Sequence, residues 1–376
     1  MKRICVFSFY DQKGIVDSYV EFLLQELSTV SDYIIVVVNG YVTDNAQKIL
    51  ERYSNRLMIR ENTGYDAGAY AYVFKNIDQF ELSKYDELIL CNDTFFGPFE
   101  SFGNIFKVMD EKACDFWGLN GYFNTVFSHI QSYFIVFRKS IIDEKLVESY
   151  FYNNIDEKTL ELNKVYCQFE VGLFDFLTRI NGKKYSIYSS EGDMCIYRNS
   201  FFYLNSHNLP IVKKKSFSNI NEDIDNIYLS LNYIKNKTNY DVNLILSCIK
   251  RIYKIDINIE EIDNLHGVSK PEKVYAPRAV HSDLEIEDFC KKSEFYIYGA
   301  GMYAAKAFWR YGKENERFKG FIVSDGKRRE NELFDKRIYE YSEISGGRRI
   351  LLGLGPQFAL EIYDLLSCDN EVFRIF

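Results

Sequence analysis

Six apolar residues in succession, YIIVVV at 33–38, constrain this chain more than any other stretch. A membrane span needs about 18 such residues, so the run belongs inside a folded domain. Its β-branched side chains favour an extended backbone. A strand apolar at every position needs cover on both faces, which is the situation of a strand inside a parallel sheet. Further apolar-rich runs stand at ICVFSF (4–9), RLMI (56–59) and ELILC (87–91). Between them the apolar residues change to helical spacing. Val16, Tyr19, Val20, Leu23, Leu24 and Leu27 make one apolar face, Thr43 is placed to cap a helix running to about Tyr53, and a further helix is predicted after Gly68. A helix near 101–110, strands at 114–119 and 132–138, a helix over 169–180 and a strand at 183–189 continue the alternation. The fold class is therefore α/β, a parallel sheet with helices on both faces.

Residues 217–265 read as helical, most clearly at NLILSCIKRIY, and HGVSKPEKVYAPRAVH holds two of the five prolines and reads as a linker. Beyond it, EFYIYGAGMYAAKAFW opens a second βα unit, followed by strands at KGFIVSD and RRILLGLG. The expected organisation is a nucleotide-binding domain over 1–215, a helical extension and linker over 216–285, and a small Rossmann-like α/β domain over 286–376. A length of 376 residues suits two domains, and 31 Phe with 30 Tyr supply an ample core. A net charge of −8 argues against a general nucleic-acid binder, which shows a basic face. The eight cysteines form no CxxC pair and no zinc spacing, which fits reduced thiols in a cytoplasmic protein. The apolar run near the start is broken by Asp11 and Lys13, so no signal peptide is read. The expectation is a cytoplasmic protein, at most peripheral at the inner face of the membrane.

Three places hold residues suited to chemistry. The first is RENTGYDAGAY (60–70), after an expected strand. There Gly64 is free to take positive φ, and Gly68 lets the helix start approach a ligand. Asn62 and Asp66 would face a ribose or diphosphate, whose charge the helix-start amides favour. The same residues also make an ordinary turn capped by Asp66. The second is LILCNDTFFGP (88–98), where Asn92, Asp93 and Thr94 follow a buried strand. One helix and one strand separate the two loops, so both open on the same edge of the sheet. A carboxylate there can hold Mg²⁺ against a diphosphate; the alternative is a turn with Asp93 capping the next helix. The third is Glu170, at the start of the predicted helix, as a general base or as a partner of the helix dipole.

This succession of motifs resembles the GT-A glycosyltransferases, in which early strands hold the nucleotide, an Asp-x-Asp motif binds metal and diphosphate, and a later acidic residue at a helix start is the base. More closely, residues 1 to about 250 resemble the rhamnan synthesis protein F family, through FSFYDQKGIVDSYV, VVVNG, RENTGYDAGAY, YDELILCNDTFFGP, DFWGL, IQSYFIVFRKS, FEVGL and LPIVKKKSF. The resemblance implies inverting transfer of rhamnose or another hexose from a nucleotide-diphosphate donor. The acceptor would be lipid-linked or an oligosaccharide, within a growing bacterial surface or capsular polysaccharide. It places the donor against Phe9, Tyr10, Asp11, Asn39, Asn62, Gly64, Asp66, Asn92, Asp93, Gln131 and Arg138, with His129 and Ser132 near the sugar and Glu170 as base. Asn92-Asp93-Thr94 carries one carboxylate where the GT-A metal motif carries two. Mg²⁺ or Mn²⁺ at Asp93 and a metal-independent reaction are therefore both open. In the second case Arg138 and the run Lys213–Lys215 are candidates to meet the diphosphate charge. That run also reads as a solvated loop or a surface for anionic lipid.

Other readings carry less of the chain. GAGMYA (299–304), with Asp325 at the end of the next strand, is close to a dinucleotide fingerprint and admits an NAD(P)-dependent oxidoreductase. A sugar nucleotidyltransferase would need a glycine-rich basic loop where Phe9-Tyr10-Asp11-Gln12 stands. A non-catalytic scaffold of a polysaccharide-synthesis complex is the third.

Overall fold

A computed structural model describes residues 1–76, 81–123, 127–159, 161–190, 196–198, 200–218, 224–258, 262, 280–344 and 346–375. The chain divides into two units, one made of 1–121, 130–160 and 176–276, the other of 122–129, 161–175 and 277–376.

The first unit is built on β1 (Arg3–Phe9), β2 (Tyr33–Asn39), β3 (Arg56–Arg60), β4 (Glu87–Asn92), β5 (Phe116–Gly118), β6 (Phe134–Arg138) and β7 (Tyr185–Ile187). They form one seven-stranded sheet in the order β7-β5-β6-β4-β1-β2-β3. Strands β1 to β4 are mutually parallel where they pair, whereas β6 runs antiparallel to both β4 and β5. Parallel neighbours need a crossover, and the helices that supply it cover the sheet. Ile34 to Val38 are accordingly all buried. The helix Ser18–Ser28 buries Tyr19, Val20, Leu23, Leu24 and Leu27, and the Thr43 hydroxyl accepts from Ala46 N at the start of Asp44–Tyr53. This is the GT-A-like arrangement. Its consequence for function is that β1, β2, β3 and β4 all end at one rim, where open α/β sheets take their ligands.

The helices Ile224–Lys237 and Asn243–Tyr253 belong to this unit and do not form an extension of their own. Ile227, Leu231, Ile234, Ile245, Cys248 and Ile249 join the same core cluster as Phe7, Val36 and Cys91, because an apolar helix face has to be covered. The linker expected at 266–281 lies outside the described residues up to 279. The helix expected over 169–180 is present, but Tyr166–Gly172 and Phe176–Ile180 are wound as π-helix around a short α turn, Leu173–Asp175.

The second unit carries β8 (Phe295–Tyr298), β9 (Phe318–Val323), β10 (Lys336–Glu340), β11 (Arg349–Leu352) and β12 (Glu371–Arg374), parallel in the order β10-β9-β8-β11-β12. That is a doubly wound order, with its reversal between β8 and β11. Gly299, the first glycine of GAGMYA, has φ +115°, and a Cβ there would stand 2.7 Å from the carbonyl oxygen of Gly353. Close approach of two strand exits thus explains this glycine. Among the described residues no helix is long and apolar enough to cross a membrane.

Candidate functional site

The rim of the first sheet is tied together by side chains from the strand ends. Asn39 ends β2 and is buried; its Nδ2 donates to Ser8 Oγ and to Tyr65 O, both at 3.2 Å, and its Oδ1 accepts from Arg60 Nη1 at 2.8 Å. Arg60 also donates to Thr63 O, Thr63 Oγ1 and Glu157 O. Asn39 is thus engaged in joining β1, β2 and the loop after β3. A Cβ on Gly40 (φ +100°) would lie 3.7 Å from Asn62 Cβ and 3.9 Å from Tyr10 Cε2, so Tyr10 and Asn62 flank this glycine. Tyr10 is 45% exposed, an aromatic face presented at the end of β1.

Asp11 is held from below. Arg251 Nη2 donates to Asp11 Oδ2 and to Asp17 Oδ2, each at 2.6 Å, and Asp11 Oδ1 accepts from Lys13 N and Ile15 N. Burial alone would raise the Asp11 pKa, but Arg251 and the two amides hold the carboxyl below its ordinary value. Its role in the geometry is to shape the loop after β1.

The two acidic loops meet. Asp66 lies in the first turn of the helix Tyr65–Lys75, whose N-cap is Gly64; its Oδ1 accepts from Ala67 N, while Oδ2 accepts from Asn92 Nδ2 at 2.8 Å. Asn92 Oδ1 in turn receives Thr94 N and Thr94 Oγ1. Next to it, Asp93 is only 5% exposed; its Oδ2 accepts from Lys214 Nζ at 2.9 Å and from Tyr19 OH at 3.1 Å. Lys214 Nζ also donates to Tyr19 OH at 2.8 Å. Burial would lower the Lys214 pKa, but the Asp93 carboxylate outweighs it and raises the ammonium above the lysine range. Lys213 Nζ reaches Thr94 Oγ1 at 2.6 Å and stands 4.3 Å from the centre of the Tyr133 ring. Of the lysine run, the first two members therefore lie at the loop after β4, and Lys215 lies over Tyr197. Gln131 and Ser132 precede β6 at its N-terminal end, which is at the same rim, as the bond from Asn92 N to Tyr133 O shows.

Three of the expected ligand contacts are placed elsewhere. Phe9 is buried in the core cluster with Cys5 and Phe7, because side chains alternate along β1 and only the Ser8 side faces Asn39. Gly64 takes the left-handed conformation expected (φ +64°), but its N–H donates to Thr159 O, and a Cβ would meet Glu157 O at 2.9 Å. The Gly64 turn therefore admits a neighbouring segment of the chain and not a ligand. Gly68 behaves alike, since a Cβ there would meet Thr63 O at 2.5 Å and Glu157 O at 3.2 Å. Arg138 is at the opposite rim. It ends the antiparallel β6, pairs in register with Glu87 at the start of β4, and donates to the carbonyls of Met109, Lys112 and Cys114. Arg60, Tyr19 and Arg251 were not among the expected residues. Arg60 and Tyr19 both stand in stretches shared with the family, Tyr19 reading there as one more apolar helix position, whereas Arg251 carries no local signal.

Glu170 and His129 belong to the second unit. His129 Nε2 is 3.6 Å from Glu170 Oε2, and its Nδ1 is 2.7 Å from Phe127 O. Nδ1 therefore carries the hydrogen in the neutral ring, and Nε2 turns a lone pair to the carboxylate. Burial, at 1% exposure, pushes the His129 pKa down to about 4 against the pull of Glu170, so at neutral pH this is not an ion pair. Because the unfolded imidazole takes up its proton near 6.5 and the folded one only near 4, the second unit should lose stability as pH falls from 6.5 to 4. The loss should be on the order of 3 kcal/mol. Melting curves at pH 7 and pH 4.5 check this, and His129→Gln should flatten the difference.

Mg²⁺ or Mn²⁺ at Asp93 meets a poor fit. One of the two Asp93 carboxylate oxygens, Oδ2, is already held by a buried ammonium and a phenol. A divalent cation there would be set beside a like charge with little water to screen it. Among the described residues no three His, Cys, Asp or Glu side chains gather to hold a metal.

Residues 34–278 match the family described as Rhamnan synthesis protein F. Virulence protein VirA of Vibrio anguillarum is 29% identical over 183 residues, 48% of this chain and 57% of that protein, so the chain spans little more than half the length of the curated relatives it matches. Among solved structures, the glycosyltransferase GlyE of Streptococcus pneumoniae is 11% identical with a TM-score of 0.33, covering 91% of this chain and 96% of that one. A cytidylyltransferase from Leptospira borgpetersenii is 12% identical with a TM-score of 0.35, covering 73% and 100%. TarS 1–349 of S. aureus is 13% identical with a TM-score of 0.30, covering 69% and 77%. These structural likenesses are distant, and it is the family match that assigns the chain. It takes in both acidic loops and the lysine run, and the chain belongs to the rhamnan synthesis protein F family.

Proposed function

We propose that this chain is a glycosyltransferase that moves a sugar from a nucleotide-diphosphate donor to a growing bacterial surface polysaccharide. The observation that carries the reading is the meeting of Asp66, Asn92, Asp93 and Lys214 at the rim where β1 to β4 end. An open α/β sheet takes its ligand at that place, and a diphosphate needs cations while a sugar needs hydrogen-bonding side chains. Tyr10 offers the face on which a base stacks, Asn62 stands beside the ribose, and Lys213 lies toward the diphosphate. Asp66 and Gln131 supply polar contacts to the sugar. The donor is dTDP-rhamnose or another nucleotide hexose, and the acceptor a lipid-linked or oligosaccharide hydroxyl, met in the cytoplasm at the inner face of the membrane. From the order of motifs, Glu170 is the base and the anomeric configuration is inverted.

A panel of dTDP-, UDP- and GDP-sugars tests this by thermal shift. A ligand at a hundred times its Kd stabilises the folded form by about 2.7 kcal/mol, so the correct donor should raise the melting point by several degrees. Tyr10→Ala should weaken that donor about tenfold, the scale of one lost base–aromatic stack, while leaving the melting point of the free protein in place. If no sugar nucleotide shifts the melt and none is hydrolysed, the reading is wrong.

A further inference from the structure

We infer that Lys213 and Lys214 stand in for the divalent cation of this site, so that sugar transfer by this chain is independent of metal and the two ammonium groups receive the charge that forms on the leaving diphosphate. The inference rests on the reading that the rim binds a nucleotide-diphosphate sugar.

Main-chain bonds set the position of the lysines. Phe95–Phe96, directly after Asp93 and Thr94, pairs antiparallel with Val212–Lys213, Lys213 facing Phe95. Lys214 N donates to Thr94 O at 3.0 Å, which carries the lysine run along the acidic loop. An ammonium has three N–H donors. That of Lys214 gives one to Asp93 Oδ2 and one to Tyr19 OH, and the third has no acceptor among the described residues. A cation so far buried, with its side chain 16% exposed, keeps a donor in hand for an oxygen that arrives with a ligand. Asp93 then acts as a positioning residue, holding a lysine where the GT-A pattern has a metal.

The step balances without a metal. The acceptor hydroxyl oxygen bonds to the anomeric carbon as the bond from that carbon to the diphosphate oxygen breaks. The electron pair leaves with the diphosphate, and the hydroxyl proton passes to a carboxylate base. The nucleoside diphosphate departs with one more negative charge than it held as an ester, and hydrogen bonds from ammonium groups strengthen as that charge forms.

The test uses the full chain stripped with EDTA. Thermal shift by dTDP, UDP and GDP, and turnover of their sugars, are measured in EDTA and in Mg²⁺ or Mn²⁺. Equal shifts and equal turnover in both buffers are expected. Lys213→Met, and the pair Asp93→Asn with Lys214→Met, should weaken the nucleoside diphosphate tenfold or more, while the bare nucleoside binds as before. Binding or turnover that appears only with metal would overturn the inference and leave the sugar-transfer reading standing, as would variants that bind the diphosphate like the parent. No shift by any nucleotide in either buffer would remove the reading itself.

Discussion

Lys214→Met is expected to lower the stability of the first unit by about 3–5 kcal/mol, the cost of stranding one member of a buried ion pair. Asp93 keeps Tyr19 as a donor, but its carboxylate is 7% exposed and has no water in which to recover the lost solvation. The urea midpoint of the purified chain measures the effect. Pairing the change with Asp93→Asn should restore most of the loss, since both charges then leave together and the cavity stays the same size. A single Lys214→Met as stable as the parent would mean that the contact at 2.9 Å contributes nothing to the fold.

Glu170→Gln should act on turnover instead. The amide has the volume of the acid, and facing His129 Nε2 it supplies an N–H where two acceptors now stand 3.6 Å apart. Folding is therefore spared. If Glu170 is the base, kcat should fall about 10²- to 10⁴-fold, the usual contribution of a positioned general base. Donor affinity should not change. Full activity in this variant would assign proton removal to another group.

The architecture was legible because it depends on composition over a few residues. YIIVVV can be little other than an enclosed strand, and the strands that follow at helical intervals put the loops of Asp66 and Asn92 on one edge, where they bond. Direction was not legible. SYFIVFR reads the same whether its strand runs with its neighbours or against them, and because it runs against them Arg138 lies at the opposite rim. Glycine marks a close approach without saying of what, so Gly64 and Gly68 signalled contact and the partners proved to be the carbonyls of Glu157 and Thr63. The lysine run was visible, but its partner lies 121 positions earlier, beyond any local pattern. Helical periodicity at 169–180 likewise does not distinguish α from π winding.

The ladder that carries Lys213 and Lys214 is only two residues long on each side. So short a pairing is weakly specified, and a slip by a single position turns every side chain to the other face. Here such a slip, or the loss or gain of one residue in the preceding turn, would bring Lys213 or Lys215 into the place of Lys214. Three identical residues in a row make the electrostatics of this loop tolerant of misregistration, a form of insurance that a lone lysine flanked by other residues would not provide.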